Sequence, residues 1–216
     1  MYQRLSRPPR QTDGLPPLLV LLHGYASNMQ DLFGLAPTFD RRLHVVALQA
    51  PLELGAIGIP GGRAWFHLDF LENDISYCSD QVHEAVTHLA AFLPQLATAE
   101  GCDPDRTYLL GFSQGSMMAH GILQRHANIA GIIGLSGRMA PDEFSRCEHV
   151  LKEVPVFIGH GRHDPLLPIH NGRQIAEFYD GSTEAVLTYR EYDMAHEINM
   201  QCLTDVNAWL KDRLDG

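Results

Sequence analysis

The sequence predicts an α/β protein with a mostly parallel central sheet and helices on both faces. Short runs such as "LLVLL", "VVAL", "TYLLGF", "AGIIGL" and "VPVFIG" are rich in Val, Ile and Leu on both parities, as strands buried on both faces are. Longer stretches with apolar residues at helical spacing separate these runs. Finally, 216 residues with 45% apolar content are enough for one large core. A single domain over residues 1–216 is expected.

Each element can be justified in turn. Residues 1–16, rich in Arg and Pro, are expected to be an irregular N-terminal segment. "LLVLLHG" is a buried strand closed by Gly24, and "LHVVALQAP" is another, stopped by Pro51. Segment 51–74 is rich in glycine and aromatic residues and has no clear period, so it is expected to form a long ordered loop. Such loops in compact domains are often functional. From Cys78 to Ala99, Val82, Val86, Leu89, Leu93 and Leu96 trace a helix that Pro94 should kink or locally disturb. "RTYLLGF", "IAGIIGLSG", "VPVFIGHG" and "AVLTYREY" read as strands. "QGSMMAHGILQRH", "NGRQIAEFY" and "EINMQCLTDVNAWLKDRL" read as helices.

Composition removes several classes of function. A net charge of -10 disfavours nucleic acid, whose backbone selects basic surfaces. The N-terminus lacks the unbroken apolar run of a signal peptide. The longest apolar run, Leu18–Leu22, is too short to cross a bilayer. Four scattered cysteines (Cys78, Cys102, Cys147 and Cys202) form no C-x-x-C pair and read as reduced thiols. A cytoplasmic protein without stable membrane insertion is expected.

The most informative stretch is "YLLGFSQGSMMAHGI". "GFSQG" fits G-x-S-x-G and lies between a strand and a helix. In such an elbow the serine takes an unfavourable backbone conformation so that its hydroxyl projects from the sheet. The plainer alternative is that Ser113 merely caps the helix.

A serine nucleophile needs a base and an acid that orients the base, in the chain order Ser, Asp or Glu, His. Asp164 in "HGRHDPLLP" and His196 in "MAHEI" both follow strands and would share the edge that carries Ser113. Among the twelve histidines, His83, His88, His120 and His126 lie in helical stretches, while His160 and His163 flank the acid. Asp142 and Glu143 compete as the acid, and Asp193 better suits a role in shaping the histidine loop. Acyl transfer also needs N–H donors for the oxyanion, each contributing roughly 3–4 kcal/mol. The backbone of Gln114, at the helix start, supplies one, and that of Tyr25, after "LLHG", is the natural second. His23 is expected to support this turn rather than react.

Together, "LHG", "GFSQG", "HGRHDPLLP" and "MAHEI" resemble the phospholipase/carboxylesterase family of small α/β-hydrolases, which includes acyl-protein thioesterases. "GRAWF" at Gly62–Phe66 and "SGR" at Ser136–Arg138 resemble its bacterial members. The resemblance covers about Leu18 to Leu210. It implies the α/β-hydrolase fold, a triad of Ser113, Asp164 and His196, oxyanion amides at Tyr25 and Gln114, and no cofactor. Many members have Leu where Tyr25 stands and Gly where Ser116 stands, so acyl preference does not carry over.

Only about twenty residues separate "IAGIIGLSG" from "VPVFIGHG", too few for a lid domain. An open site suits accessible small-molecule esters of short to medium acyl length, with a lysophospholipid or a thioester as further options. Tyr25, Trp65 and Phe66, with Phe70, are the expected acyl-side wall. The alternative for the Trp65–Phe66 pair is a hydrophobic clasp on the core. Two other readings stay open here: a metal held by His160, His163 and Asp164, and a non-catalytic binding protein on a hydrolase fold. A homodimer is expected only by analogy with relatives.

Overall fold

The computed structural model describes residues 2–11, 13–71, 75–125, 128–144, 151 and 153–215. In chain order the strands are β1 (Arg4–Arg7), β2 (Pro17–Leu22), β3 (His44–Leu48), β4 (Leu52–Glu53), β5 (Arg63–Ala64), β6 (Leu68–Phe70), β7 (Ile75–Tyr77), β8 (Asp103–Phe112), β9 (Ile129–Leu135), β10 (Pro155–Gly161) and β11 (Val186–Tyr192). The α-helices are α1 (Met29–Phe33), α2 (Ser79–Ala99), α3 (Gln114–Arg125), α4 (Pro141–Phe144), α5 (His170–Ser182) and α6 (Met200–Asp215).

Seven strands make the central sheet in the order β1-β3-β2-β8-β9-β10-β11. Every neighbouring pair is parallel except β1 with β3. Alternation along β2 divides the core. Leu18, Val20 and Leu22 pack with residues of α2, α3 and α5, whereas Leu19 and Leu21 join residues of α1 and α6. Each such leucine is essentially solvent-free, and each stabilises the fold by roughly 1.5–3 kcal/mol.

Register aligns the carboxyl ends of the strands. Leu22 lies level with Gly111, Phe112 and Gly159 are both level with Leu135, and Gly161 is level with Tyr192. The turns after β2, β8, β10 and β11 therefore emerge on one edge, where ligands bind in parallel α/β sheets. α2 runs through Pro94 to Ala99 as one helix.

Two expectations are corrected. Residues 1–16 are not wholly irregular, because β1 pairs Arg4 to Arg7 against Leu48 to Val45. Arg4 Nε and Ser6 Oγ both donate to the Glu100 carboxylate, at 2.6 Å each, tying this strand to the end of α2. Segment 51–74 is not a plain loop either. β4 pairs with β5 and β6 with β7 as short antiparallel ladders, while residues 72–74, like Cys147 and His126, lie outside the described residues.

Candidate active site

Ser113 sits between β8 and α3 with φ 54°, in the left-handed region that costs a non-glycine residue of order 1–3 kcal/mol. Its N–H donates to Leu135 O at 2.9 Å, and its carbonyl accepts from the Ser116 N–H at 3.0 Å. These bonds hold the strained turn in place. The flanking glycines are steric necessities. A Cβ on Gly111 would meet Gly115 O at 2.1 Å, and one on Gly115 would meet Leu22 O at 1.9 Å.

Asp164 and His196 converge from the turns after β10 and β11. His196 Nδ1–H donates to Asp164 Oδ2 at 2.7 Å, and the Leu166 and Leu167 amides donate to Asp164 Oδ1 at 2.9 and 2.8 Å. Burial pushes the Asp164 carboxyl up. The bonds from His196 and the two amides outweigh it and hold the group below its ordinary value. The two turns are also laced by backbone, with Arg162 N–H donating to Tyr192 O at 2.9 Å and His163 N–H to Met194 O at 3.1 Å. The His196 ring packs on Phe112, centroids 4.9 Å apart, and Phe112 immediately precedes Ser113. With Nδ1 committed to Asp164, Nε2 is the nitrogen left to take a proton.

Gly24 brings the turn after β2 against the elbow, since a Cβ there would lie 3.3 Å from Ser113 Cβ. Neither the Tyr25 nor the Gln114 backbone N–H has an acceptor among the described residues. Gln114 begins α3, where helical N–H groups have no intrahelical partner. His23 beneath the turn is buried, and its Nε2 accepts the Ala50 N–H at 3.1 Å. The ring proton is therefore on Nδ1, which donates to Gly24 O at 2.8 Å. Burial lowers its pKa, with the Gly24 carbonyl opposing, so this histidine stays neutral and supports the turn.

Residues 11–214 match the phospholipase/carboxylesterase family. The chain belongs to that family. Membership places it among esterase-type hydrolases. Acyl-protein thioesterase 1 of Saccharomyces cerevisiae is 29% identical, over 97% of this chain and 96% of the relative. The solved structure of esterase PE8 superposes with a TM-score of 0.83 at 30% identity, covering 98% of both chains. The Bacillus cereus carboxylesterase gives 0.81 at 20% identity, over 99% of this chain and 95% of the other. The fold is the α/β-hydrolase fold of this family.

The rival residues are engaged elsewhere. Glu143 is buried against Arg125 at 2.7 Å with His83 3.3 Å away, and Asp142 accepts from Ser79 Oγ. His120 is enclosed against the Tyr179 hydroxyl at 2.9 Å, and burial drops its pKa to about 3. His160 Nε2–H donates to Leu167 O at 2.7 Å, whereas His163 turns outward to the exposed Asp193 at 2.7 Å. The two histidines flanking Asp164 thus point apart rather than toward one ion.

The expectation that Trp65 and Phe66 line the acyl-side wall is corrected. Trp65 and Phe66 are 2% and 1% exposed and belong to the core. The Trp65 ring packs on Tyr2 and His23, and the Phe66 ring on Tyr77. The pair is the clasp, because α2 and the N-terminal segment close over it. Tyr25, by contrast, remains partly open and meets the exposed Phe70 edge to face at 5.4 Å. The sequence reading also missed the Gln114 side chain, whose amide bonds to the Trp65 and Phe66 backbones. The available signal was the position of Gln114, a long polar side chain set directly between Ser113 and Gly115.

Proposed function

We propose that this protein is a serine carboxylesterase that cleaves carboxylic esters of short to medium acyl length through an acyl-enzyme. A lysophospholipid or a thioester fits the same chemistry. The observation that carries the reading is the 2.7 Å Asp164–His196 pair, its imidazole packed on Phe112, the residue before a serine at φ 54°. Ser113 Oγ attacks the carbonyl carbon as His196 Nε2 takes its proton, and the Tyr25 and Gln114 amides receive the oxyanion. His196 then returns the proton to the departing alkoxide or thiolate. Water attacks the acyl-enzyme by the same route in reverse, freeing the carboxylic acid and Ser113. Asp164 holds the imidazole tautomer and stabilises its cation. The chain's own residues complete this cycle without a cofactor.

The surroundings favour an accessible substrate. Residues 136–154, between β9 and β10, are too few to carry a lid domain, and Phe70, Leu71 and Ile57 stay exposed on the neighbouring hairpins. The test is turnover of p-nitrophenyl esters across acyl lengths, with a fluorophosphonate label located by mass spectrometry. Burst acylation at Ser113, abolished in Ser113→Ala, is expected. A folded wild-type protein that neither turns over nor takes the label would be a binding protein instead.

A further inference from the structure

Resting on Ser113 as the nucleophile, we propose that Trp65 is a positioning residue that sets the spacing between the two oxyanion amides. A closed relay of buried hydrogen bonds links them. Gln114 offers one amide from its backbone, while its side chain, 1% exposed, grips the β5–β6 segment. Its Oε1 accepts the Trp65 N–H at 2.9 Å and its Nε2 donates to Phe66 O at 2.7 Å. The Trp65 indole N–H then donates to His23 O at 2.9 Å. One peptide further on, His23 Nδ1–H holds Gly24 O at 2.8 Å, with the Ser27 N–H adding a longer bond at 3.3 Å.

Two successive carbonyls of the turn are thus fixed from below. A trans peptide points its N–H opposite its C=O, so pinning Gly24 O aims the Tyr25 N–H away from His23 and out of the core. The turn is anchored to the elbow through the same glutamine that starts α3. Every side chain in the relay is at most 2% exposed, where hydrogen bonds are strengthened and lost partners are costly. Oxyanion donors act only within a narrow range of distance. A relay that spans both donors therefore controls the rate without touching substrate.

The test is Trp65→Phe, which keeps an aromatic ring and deletes the indole N–H. On p-nitrophenyl butyrate, kcat is expected to fall about 10- to 30-fold, short of the roughly 10²–10³ lost when a donor itself is removed. KM should stay within about twofold, and affinity for phenylboronic acid, whose tetrahedral adduct carries the negative charge, should fall with kcat. Gln114→Met opens the relay from the other end and should lose a similar factor. The double variant should be no worse than the poorer single one, because the relay fails as a unit. Leu89→Ala, a core change with no hydrogen bond in the same cluster, should lower the melting temperature yet keep kcat within about twofold.

A Trp65→Phe enzyme that melts early but keeps kcat and boronate affinity overturns the proposal and leaves Trp65 as packing. A rise in KM at constant kcat overturns it too. Wild-type protein assayed alongside separates the two levels. If it neither turns over ester nor takes a fluorophosphonate at Ser113, the nucleophile assignment fails and this inference falls with it. If it does both while Trp65→Phe and Gln114→Met match it, only the positioning role fails.

Discussion

The turns after β10 and β11 share a sheet edge with the hairpins β4–β7, yet the two regions are fastened very differently. Asp164 accepts three hydrogen bonds of 2.9 Å or less, and buried His160 clamps the Leu167 carbonyl behind it. The hairpins are anchored at Ala64, Trp65 and Phe66 and then run outward to Ile57, Phe70 and Leu71, each about 60% exposed. On the proposed function, the groups that would meet a reacting atom at fixed distance are locked, and those that would meet a variable chain of carbons are left open. The contrast is that of a preorganised centre beside an adaptable rim.

The largest effect should come from breaking the locked side. Asp164→Asn keeps the shape but presents an amide where His196 needs an acceptor, so the imidazole loses its imposed tautomer. A fall of about 10⁴-fold in kcat is expected, with little change in melting temperature. Steady-state kinetics beside thermal unfolding measures both. A loss below about tenfold would mean that the 2.7 Å pair does not serve catalysis.

Next comes the buried root of the open side. Trp65→Ala removes a ring that is 2% exposed together with its bond to His23 O, so about 3–5 kcal/mol of stability should be lost. Urea unfolding reads this directly. A stable Trp65→Ala protein with altered acyl preference would return the residue to the substrate wall.

The buried interior also has an acid limit. His120 is fully enclosed and its pKa is about 3, against 6.5 for a free histidine. Burial likewise lowers His23 and His160. A histidine depressed in the folded state is protonated first in the unfolded chain, so stability is intact above pH 6.5 and declines as pH falls below it. His120 should contribute to this decline, because burial holds it neutral in the folded state while the unfolded chain takes up the proton. Urea midpoints at pH 7.5, 6 and 5 should fall progressively. His120→Phe should show a shallower decline, and an unchanged slope would remove His120 as a source.

The same contrast explains what could be read from the chain. Strands such as Leu18–Leu22 and Val156–Ile158 announce themselves because burial on both faces makes every position apolar. Ser113, Asp164 and His196 stood out as candidates because each follows a strand, in the chain order that a serine nucleophile, an acid and a base require. β1 was not, because its pattern Arg-Leu-Ser-Arg is held by Glu100, ninety-odd residues away. α1, five residues long, is too short to express a period. The direction in which Trp65 and Phe66 point was equally hidden, because an aromatic pair beside glycines reads alike as clasp or as pocket. Only the Gln114 side chain and the closure of α2 decide it, and neither is a local property.

The smallest and most discriminating change is Phe70→Ala, on the open rim. Its ring is 61% exposed and touches Tyr25 at 5.4 Å, so stability should shift by no more than about 0.5 kcal/mol. Catalysis should respond through binding. KM for longer acyl esters should rise severalfold, as expected from about 1–3 kcal/mol per methylene-sized change in an apolar contact. The shortest ester should be nearly unaffected, and kcat should hold throughout. A matrix of p-nitrophenyl acetate, butyrate and octanoate against wild type and Phe70→Ala separates these cases. A uniform loss across all three chains would place Phe70 with the locked machinery. A loss that grows with chain length would make the hairpin the part of this edge that selects the acyl group.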